Sequence, residues 1–253
     1  MLSLVLIGTG NVASHLFNAF LKVDEVSIEQ VYGRNPVALE KFSKFAKTTI
    51  NPNTIVDADM YLIAVSDVAI KSVSQILKHK KGIVAHTSGS VSMEEMQQKR
   101  KGVFYPLQTF TKNKEIDFSK IPICIEASNE KDLAELMSLS NLLTESVHKV
   151  SSKQRKKLHL AAVFANNFSN HLFQITQEIC ETEKLPFELL KPLILETVEK
   201  LQYLSPKEAQ TGPARRNDMI TVQKHLEELK HPIQKKIYQL LSESIKDTYE
   251  KEL

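Results

Sequence analysis

Gly8-Thr9-Gly10-Asn11-Val12-Ala13 fits the pattern G-x-G-x-x-A and stands between an apolar run and an amphipathic one. That placement predicts an anion-binding turn. Gly8 permits the tight bend, Gly10 lets the backbone approach a pyrophosphate with no Cβ in the way, and Ala13 is small enough for close helix–strand packing. The free N–H groups that open the helix then face the anion. Gly8, Thr9, Gly10, Asn11 and Val12 are therefore the candidate phosphate contacts. About 20 residues on, where an NAD site carries Asp or Glu for the ribose diol, the chain instead reads Tyr32-Gly33-Arg34-Asn35. An arginine there suits charge-assisted bonds to a 2′-phosphate, so NADP is favoured over NAD, with Arg34 and Asn35 as contacts.

A second group sits where apolar runs end. In an open α/β sheet, ligands lie beyond the carboxyl ends of the strands. Ala64-Val65-Ser66-Asp67, His86-Thr87-Ser88-Gly89-Ser90 and Tyr105-Pro106-Leu107-Gln108 occupy such ends. Val65, Ser66 and Thr87 are candidate cofactor contacts, and Asp67 is expected to cap a helix. Ser88 is a candidate catalytic hydroxyl, Tyr105 and Gln108 are candidate substrate contacts, and Gly89 would let the backbone turn close to a nicotinamide. As ordinary turn and edge residues, the same side chains would only cap helices and close strands.

Further along, Arg155, His159, Asn166, Asn170 and Gln177 fall within about 40° of one line at 100° per residue, with Ala161, Phe164, Phe168 and Leu172 opposite. Buried amides and imidazoles are costly without partners, so this stripe needs some. If it lines a cleft between domains, His159 is the general acid, because an imidazole titrates near neutral pH, and Asn166 orients the substrate oxygen. If it faces solvent or a helical bundle, it is structural. Thr211-Gly212-Pro213, followed by Arg215 and Arg216, is either a plain connection or a loop over the site. In the second case Thr211 and Arg215 would hold an anionic substrate. No metal is expected: H-E-x-x-H is absent, the eight histidines are dispersed, and Cys124 and Cys180 have no metal-ligand spacing. Gly-x-Ser-x-Gly is also absent.

These residues need elements to position them. Leu2–Ile7, Val26–Tyr32, Met60–Val65 and Gly82–His86 read as strands, the first and third buried on both faces. Val103–Leu107, Pro122–Glu126 and Ser146–Val150 are further strand candidates. Asn11–Leu21, Pro36–Phe45, Asp67–Leu77 and Leu133–Leu143 read as helices. Ser92 and Glu95 fit a capping box for one more. Such alternation predicts right-handed crossovers and a mainly parallel sheet. From Ser152 to Glu183 there is neither Gly nor Pro, which allows one long helix. Phe187–Leu204, Asp218–Lys230 and Pro232–Lys251 follow as helices, with Pro206–Arg216 as a loop. The expected organisation is α/β: a Rossmann-type, mainly parallel sheet over residues 1–150, followed by an all-α domain over residues 151–253.

Composition narrows the function classes. Of 253 residues, 42% are hydrophobic and 25% charged, which excludes wholesale disorder. Net charge is +3 and the charges are spread evenly, so no nucleic-acid arm is expected. No apolar run approaches a membrane span, and residues 1–7 lack a basic leader, so a cytoplasmic protein is expected. The terminal Lys251-Glu252-Leu253 lacks the Asp of the retention signal and is disregarded. The apolar faces of 152–183 and 187–204 exceed what one small domain covers, which predicts a homodimer through the helical domain.

The N-terminal half resembles the Rossmann domain of the superfamily of pyrroline-5-carboxylate reductase, deazaflavin-dependent NADP reductase and ketopantoate reductase. The whole chain resembles a bacterial family of Rossmann-like proteins with a helical C-terminal domain of unknown function. Gly8–Ala13, His86-Thr87-Ser88-Gly89, Phe104–Phe110, His159–Asn167 and Thr211–Asp218 carry the likeness. It implies an NADP-binding, oxidoreductase-like fold with a dimer-building helical domain, and it implies no particular substrate. There is one departure. Related hydroxyacid dehydrogenases place a Lys and, four residues later, an Asn on the first helix of the second domain. Here Lys156 is followed by Leu160 and Lys157 by Ala161, with no preceding glycine, so a catalytic lysine of that type is not expected. Hydride transfer between NADP and a small carbonyl or imine is the expected chemistry. A non-catalytic dinucleotide-binding sensor is the alternative, since fold alone does not separate them.

Overall fold

Leu2–Ile7 forms β1, and its alternate residues enter two different cores. Leu4 and Leu6 join one hydrophobic cluster with Leu16, Phe17 and Phe20, while Val5 and Ile7 join another with Tyr61 and Ile63. This is why the run is apolar throughout: both faces of the strand are covered. The computed structural model describes residues 1–112 and 114–249. They form two compact units, Met1–Val163 and Phe164–Leu253, so the division falls later than the expected position near residue 150.

In the first unit, α1 (Asn11–Phe20), β2 (Val26–Tyr32), α2 (Pro36–Leu39), β3 (Lys47–Thr49), β4 (Met60–Ile63), α3 (Asp67–Ile76), β5 (Ile83–His86) and β6 (Lys101–Pro106) alternate as expected. β7 (Ile123–Ala127), α4 (Glu130–Asn141), β8 (Val147–Lys149) and α5 (Ser152–Ala162) complete it. The strands make one eight-stranded sheet in the order β3-β2-β1-β4-β5-β6-β7-β8. All neighbours are parallel except β6 and β7, which pair antiparallel with Tyr105 opposite Cys124. The chain moves outward from β1 to β3 and returns to β4 on the other side. The β1–β4 boundary is thus a topological switch point, where a crevice opens at the strands' carboxyl ends.

Several expected elements are corrected. The helix expected over Pro36–Phe45 stops at Leu39, and β3 takes up the chain after a run of turns. Ser92 does not open a helix. Its hydroxyl accepts from the Glu94 amide and caps a single turn, Met93–Glu95. Asp67 is the first residue of α3 and not its cap; Ser66 holds that position without a side-chain bond.

The long helix expected over Ser152–Glu183 is interrupted. A π-helical segment, Val163–Phe168, separates α5 from α6 (Ser169–Thr182). An i→i+5 turn holds more residues than an α-turn, so residues beyond it lag the 100° line on which the polar stripe was drawn. The second unit continues with α7 (Lys191–Glu199), flanked by tight turns at Phe187–Leu190 and Lys200–Gln202 in place of one helix. Within the expected loop lies α8 (Pro206–Ala209), held by a capping box of Ser205 and Glu208. α9 (Met219–Glu228) is capped by Asp218, whose Oδ1 accepts from the Thr221 amide at 3.1 Å. α10 (Pro232–Tyr249) ends the described chain, and the expected extension to Lys251, like the terminal tripeptide, lies outside the described residues.

Candidate functional site

The glycine turn is built by two glycines with opposite requirements. Gly8 has φ of +125°, and a Cβ there would lie 2.1 Å from the Ala64 carbonyl oxygen. Only glycine lets β1 bend this close to β4. Gly10 has φ of −75°, and a Cβ there would meet nothing within 4 Å. It is the cap residue of α1, whose N-terminus has no side-chain cap and no acidic residue in its first turn. Clear space before bare helix N–H groups suits a dinucleotide pyrophosphate. Thr9 packs its methyl where a Gly33 Cβ would sit, at 2.5 Å, which fixes the turn against the end of β2.

The other expected cofactor residues divide. Val12 is half-buried against the core, Val65 places a methyl 3.2 Å from the Gly8 Cβ position, and Ser66 and Arg34 are exposed. Asn11 is committed elsewhere: its Nδ2 donates to the Phe110 carbonyl at 2.9 Å. Asn35 is a helix cap, its Oδ1 accepting from the amides of Val37 and Ala38. Lys41, which periodicity did not single out, has its Nζ 3.1 Å from the Thr9 carbonyl and 2.6 Å from Ser14 Oγ. It lines a cleft of about 1130 Å³ together with Thr9, Asn11 and Lys112. Burial and the neighbouring Lys112 charge hold its ammonium below the usual lysine range.

At the carboxyl end of β5 the chain turns sharply. Ser88 Oγ accepts from the amides of Ser90 at 3.1 Å and Val91 at 3.0 Å, so this buried hydroxyl closes the turn. Ser88, expected as a catalytic hydroxyl, has this structural role in the turn. Thr87 donates from its amide and its hydroxyl to the Ile63 carbonyl, stitching β5 to β4. The side of Gly89 on which a Cβ would point is filled. A Cβ there would lie 2.6 Å from His159 Nδ1 and 2.8 Å from Tyr105 Cζ. The glycine is needed because an imidazole and a phenol press on it.

Those two rings are also in contact with each other. Tyr105 Oη and His159 Nδ1 are 3.1 Å apart, the rings edge to face at 6.1 Å. Either the hydroxyl donates to a bare Nδ1, or a protonated Nδ1 donates to the hydroxyl. Tyr105 is 9% exposed, and burial pushes its phenol pKa up. Gln108 is exposed, with its Oε1 turned onto its own neighbour's amide, Thr109, at 2.8 Å.

Arg155 belongs to no polar stripe. It is fully buried, with bonds to the Ser88 and Val91 carbonyls, Ser152 Oγ and the Glu126 carboxylate. Asn166 and Asn170 are exposed in the second unit, and Gln177 bonds Glu181 at 2.7 Å. Thr211 is exposed. Arg215 is half-buried, donates to the Gln210 carbonyl and stacks 5.1 Å over the Tyr249 ring. That occupies part of the fork expected to hold an anionic substrate.

Residues 121–245 match the model of a domain of unknown function, DUF2520. A solved structure from Bacteroides fragilis, named as an NADP oxidoreductase, is 38% identical, with 97% of this chain and 98% of that one aligned at a TM-score of 0.89. A pyrroline-5-carboxylate reductase from Streptococcus pyogenes aligns over 97% of this chain and 98% of that one, at 13% identity and a TM-score of 0.63. An imine reductase from Myxococcus stipitatus, in complex with NADP+, aligns over 98% and 93%, at 16% identity and a TM-score of 0.63. No curated protein matches the sequence. The likeness to the B. fragilis protein covers nearly the whole of both chains, and the chain belongs to its family, Rossmann-like proteins with a helical C-terminal domain, in which the DUF2520 match begins at residue 121, within the sheet.

Proposed function

We propose that the protein is an NADP-dependent oxidoreductase that moves a hydride between the nicotinamide and a small carbonyl or imine carbon, with the Tyr105–His159 pair carrying the proton. The observation that carries this reading is that pair, standing at the carboxyl edge of the sheet whose first turn leaves the α1 N-terminus bare. The names of the B. fragilis and M. stipitatus proteins support the chemistry.

When bound, the cofactor would supply the hydride. The backbone N–H groups of Gly10, Asn11 and Val12, at the uncapped start of α1, would receive its pyrophosphate. Arg34, exposed just after β2, and Lys41, bonded to the Thr9 carbonyl, would bear on the 2′-phosphate. Tyr105, its hydroxyl held against Nδ1, would present a proton to the substrate heteroatom and draw a replacement from His159.

NADPH consumption with a panel of 2-oxo acids, imines and aldehydes tests the reading. Turnover of any member supports it. Tight binding without turnover across the panel replaces it with a dinucleotide sensor. Calorimetry tests the cofactor preference. Arg34→Asp is expected to weaken NADPH by roughly ten- to hundredfold, about 1.4–2.7 kcal/mol, while sparing NADH. Equal NADPH affinity in wild type and variant would remove Arg34 from the site.

The same reading includes a homodimer through the helical unit. In 164–249 the buried hydrophobic side chains are Cys180, Ala214, Val222 and Tyr249. Phe164, Phe168, Leu189, Leu193 and Leu195 are each about half exposed or more, Phe164 at 63%. An apolar surface of this kind is covered most simply by its own copy across a two-fold axis. Light scattering at micromolar concentration is expected to give twice the chain mass, and a monomer would refute the pairing.

A further inference from the structure

We propose that Arg155 is the positioning residue of the Tyr105–His159 pair, and that it acts by clamping the 88–91 turn onto α5. The inference rests on the proton-transfer reading above and concerns how its geometry is held.

The clamp can be followed bond by bond. Glu126, on β7, receives the Ser152 amide at 2.8 Å and the Ser152 hydroxyl at 2.7 Å, which anchors the first turn of α5. The same carboxylate pairs with Arg155 Nη1 at 2.5 Å. From there the guanidinium reaches across to the turn. Nε donates to the Ser88 carbonyl at 3.1 Å and Nη2 to the Val91 carbonyl at 2.6 Å. Those carbonyls flank Gly89, whose Cα carries no side chain because His159 and Tyr105 occupy that space. His159 follows Arg155 by about one helical turn. Arg155 therefore fixes both sides of the contact: the helix that carries the imidazole and the backbone on which the imidazole rests.

Burying an ion pair costs solvation, and replacing a whole buried pair by apolar side chains of similar volume is often neutral or stabilising, so packing alone does not account for it. What the planar fork adds is direction, since its donors are set at fixed angles to two carbonyls and a carboxylate. Glu126 also cancels the guanidinium charge beside the pair. Burial pushes the Glu126 carboxyl up, but the bonds from Ser152 and Arg155 outweigh it and hold it below the ordinary glutamate range.

The test reads His159 directly in the full chain. Nitrogen-15 spectra of the imidazole ring report whether Nδ1 is hydrogen-bonded and which tautomer is present. In wild type a single bonded Nδ1 is expected. Arg155→Met and Arg155→Lys are expected to lose that signature and give an averaged ring, because neither retains the fork. Glu126→Gln keeps volume and most contacts, and it serves if the arginine variants fail to fold; it should weaken the signature and leave the protein cooperative. NADPH affinity is expected to stay within about twofold throughout. Where a turned-over substrate is in hand, kcat should fall at least tenfold with KM little changed. A folded Arg155 variant, or a folded Glu126→Gln, whose His159 spectrum matches wild type overturns the proposal. Loss of the signature in a protein that turns over nothing would instead overturn the oxidoreductase reading and leave the clamp standing.

Discussion

Gly10→Val is expected to leave the fold intact and to weaken dinucleotide binding at least a hundredfold, whereas Gly8→Ala is expected to destabilise the fold severely. The two glycines lie in one turn, so the contrast isolates the ligand from the scaffold. At Gly10 the backbone φ of −75° is open to any L-residue, and an added Cβ meets nothing within 4 Å. Loss of backbone freedom in the unfolded chain even favours the substitution slightly. The new side chain would stand where a pyrophosphate must approach α1, and at least a hundredfold loss of NADPH affinity, about 2.7 kcal/mol, is expected. At Gly8 the φ of +125° and a 2.1 Å collision with the Ala64 carbonyl leave no such freedom. The backbone cannot retreat, because the Gly8 amide donates to Tyr32 and the Ala64 amide to Ile7, each at 2.8 Å. Strain and overpacking together should cost roughly 2–6 kcal/mol, read from urea unfolding. A Gly10→Val protein that binds NADPH like wild type would show that no phosphate rests on this turn.

What the sequence revealed was local. The buried run Leu2–Ile7, the glycines and the helix after them are consecutive, so their joint meaning can be read in one short window. Gly89 could not be read that way. It faces Tyr105 on another strand and His159 on a helix beyond two more strands, and only tertiary structure supplies that collision. Arg155 shows the same limit from the other side. Helical phase placed it with Asn166 and Gln177, but a phase names a direction and no partner, and Glu126 had already claimed the guanidinium. The π-helical segment then shifted the phase itself. Asn35, Ser88 and Gln108 were expected at ligands because their types suit them. Short polar side chains beside turns satisfy nearby amides first, and these three do so here.

His86 is expected to make the protein acid-labile well above the pH at which its carboxylates titrate. It is fully buried; its Nδ1 accepts from the Ser88 amide at 3.1 Å, and its Nε2 has no hydrogen-bond partner. The neutral ring therefore carries its proton on Nε2. Burial and then the Arg155 charge hold its pKa at about 4, against 6.5 when unperturbed; Asp67, Glu126 and the Ser92 backbone pull upward but lose. The folded pKa lies below the unfolded one, so the unfolded chain takes up the proton first. Stability from this group is complete above about pH 6.5 and falls as pH drops toward 4, by roughly 1.4 kcal/mol per unit and about 3 kcal/mol in all. His86→Asn retains an acceptor for the Ser88 amide and removes the titration. Between pH 5 and 6.5, above the range of ordinary carboxylates, the wild-type unfolding free energy should slope and the variant's should be nearly flat. Parallel curves through that interval would mean that the ring is protonated in the fold, and the Arg155–Glu126 pair would then have to share its pocket with a second cation.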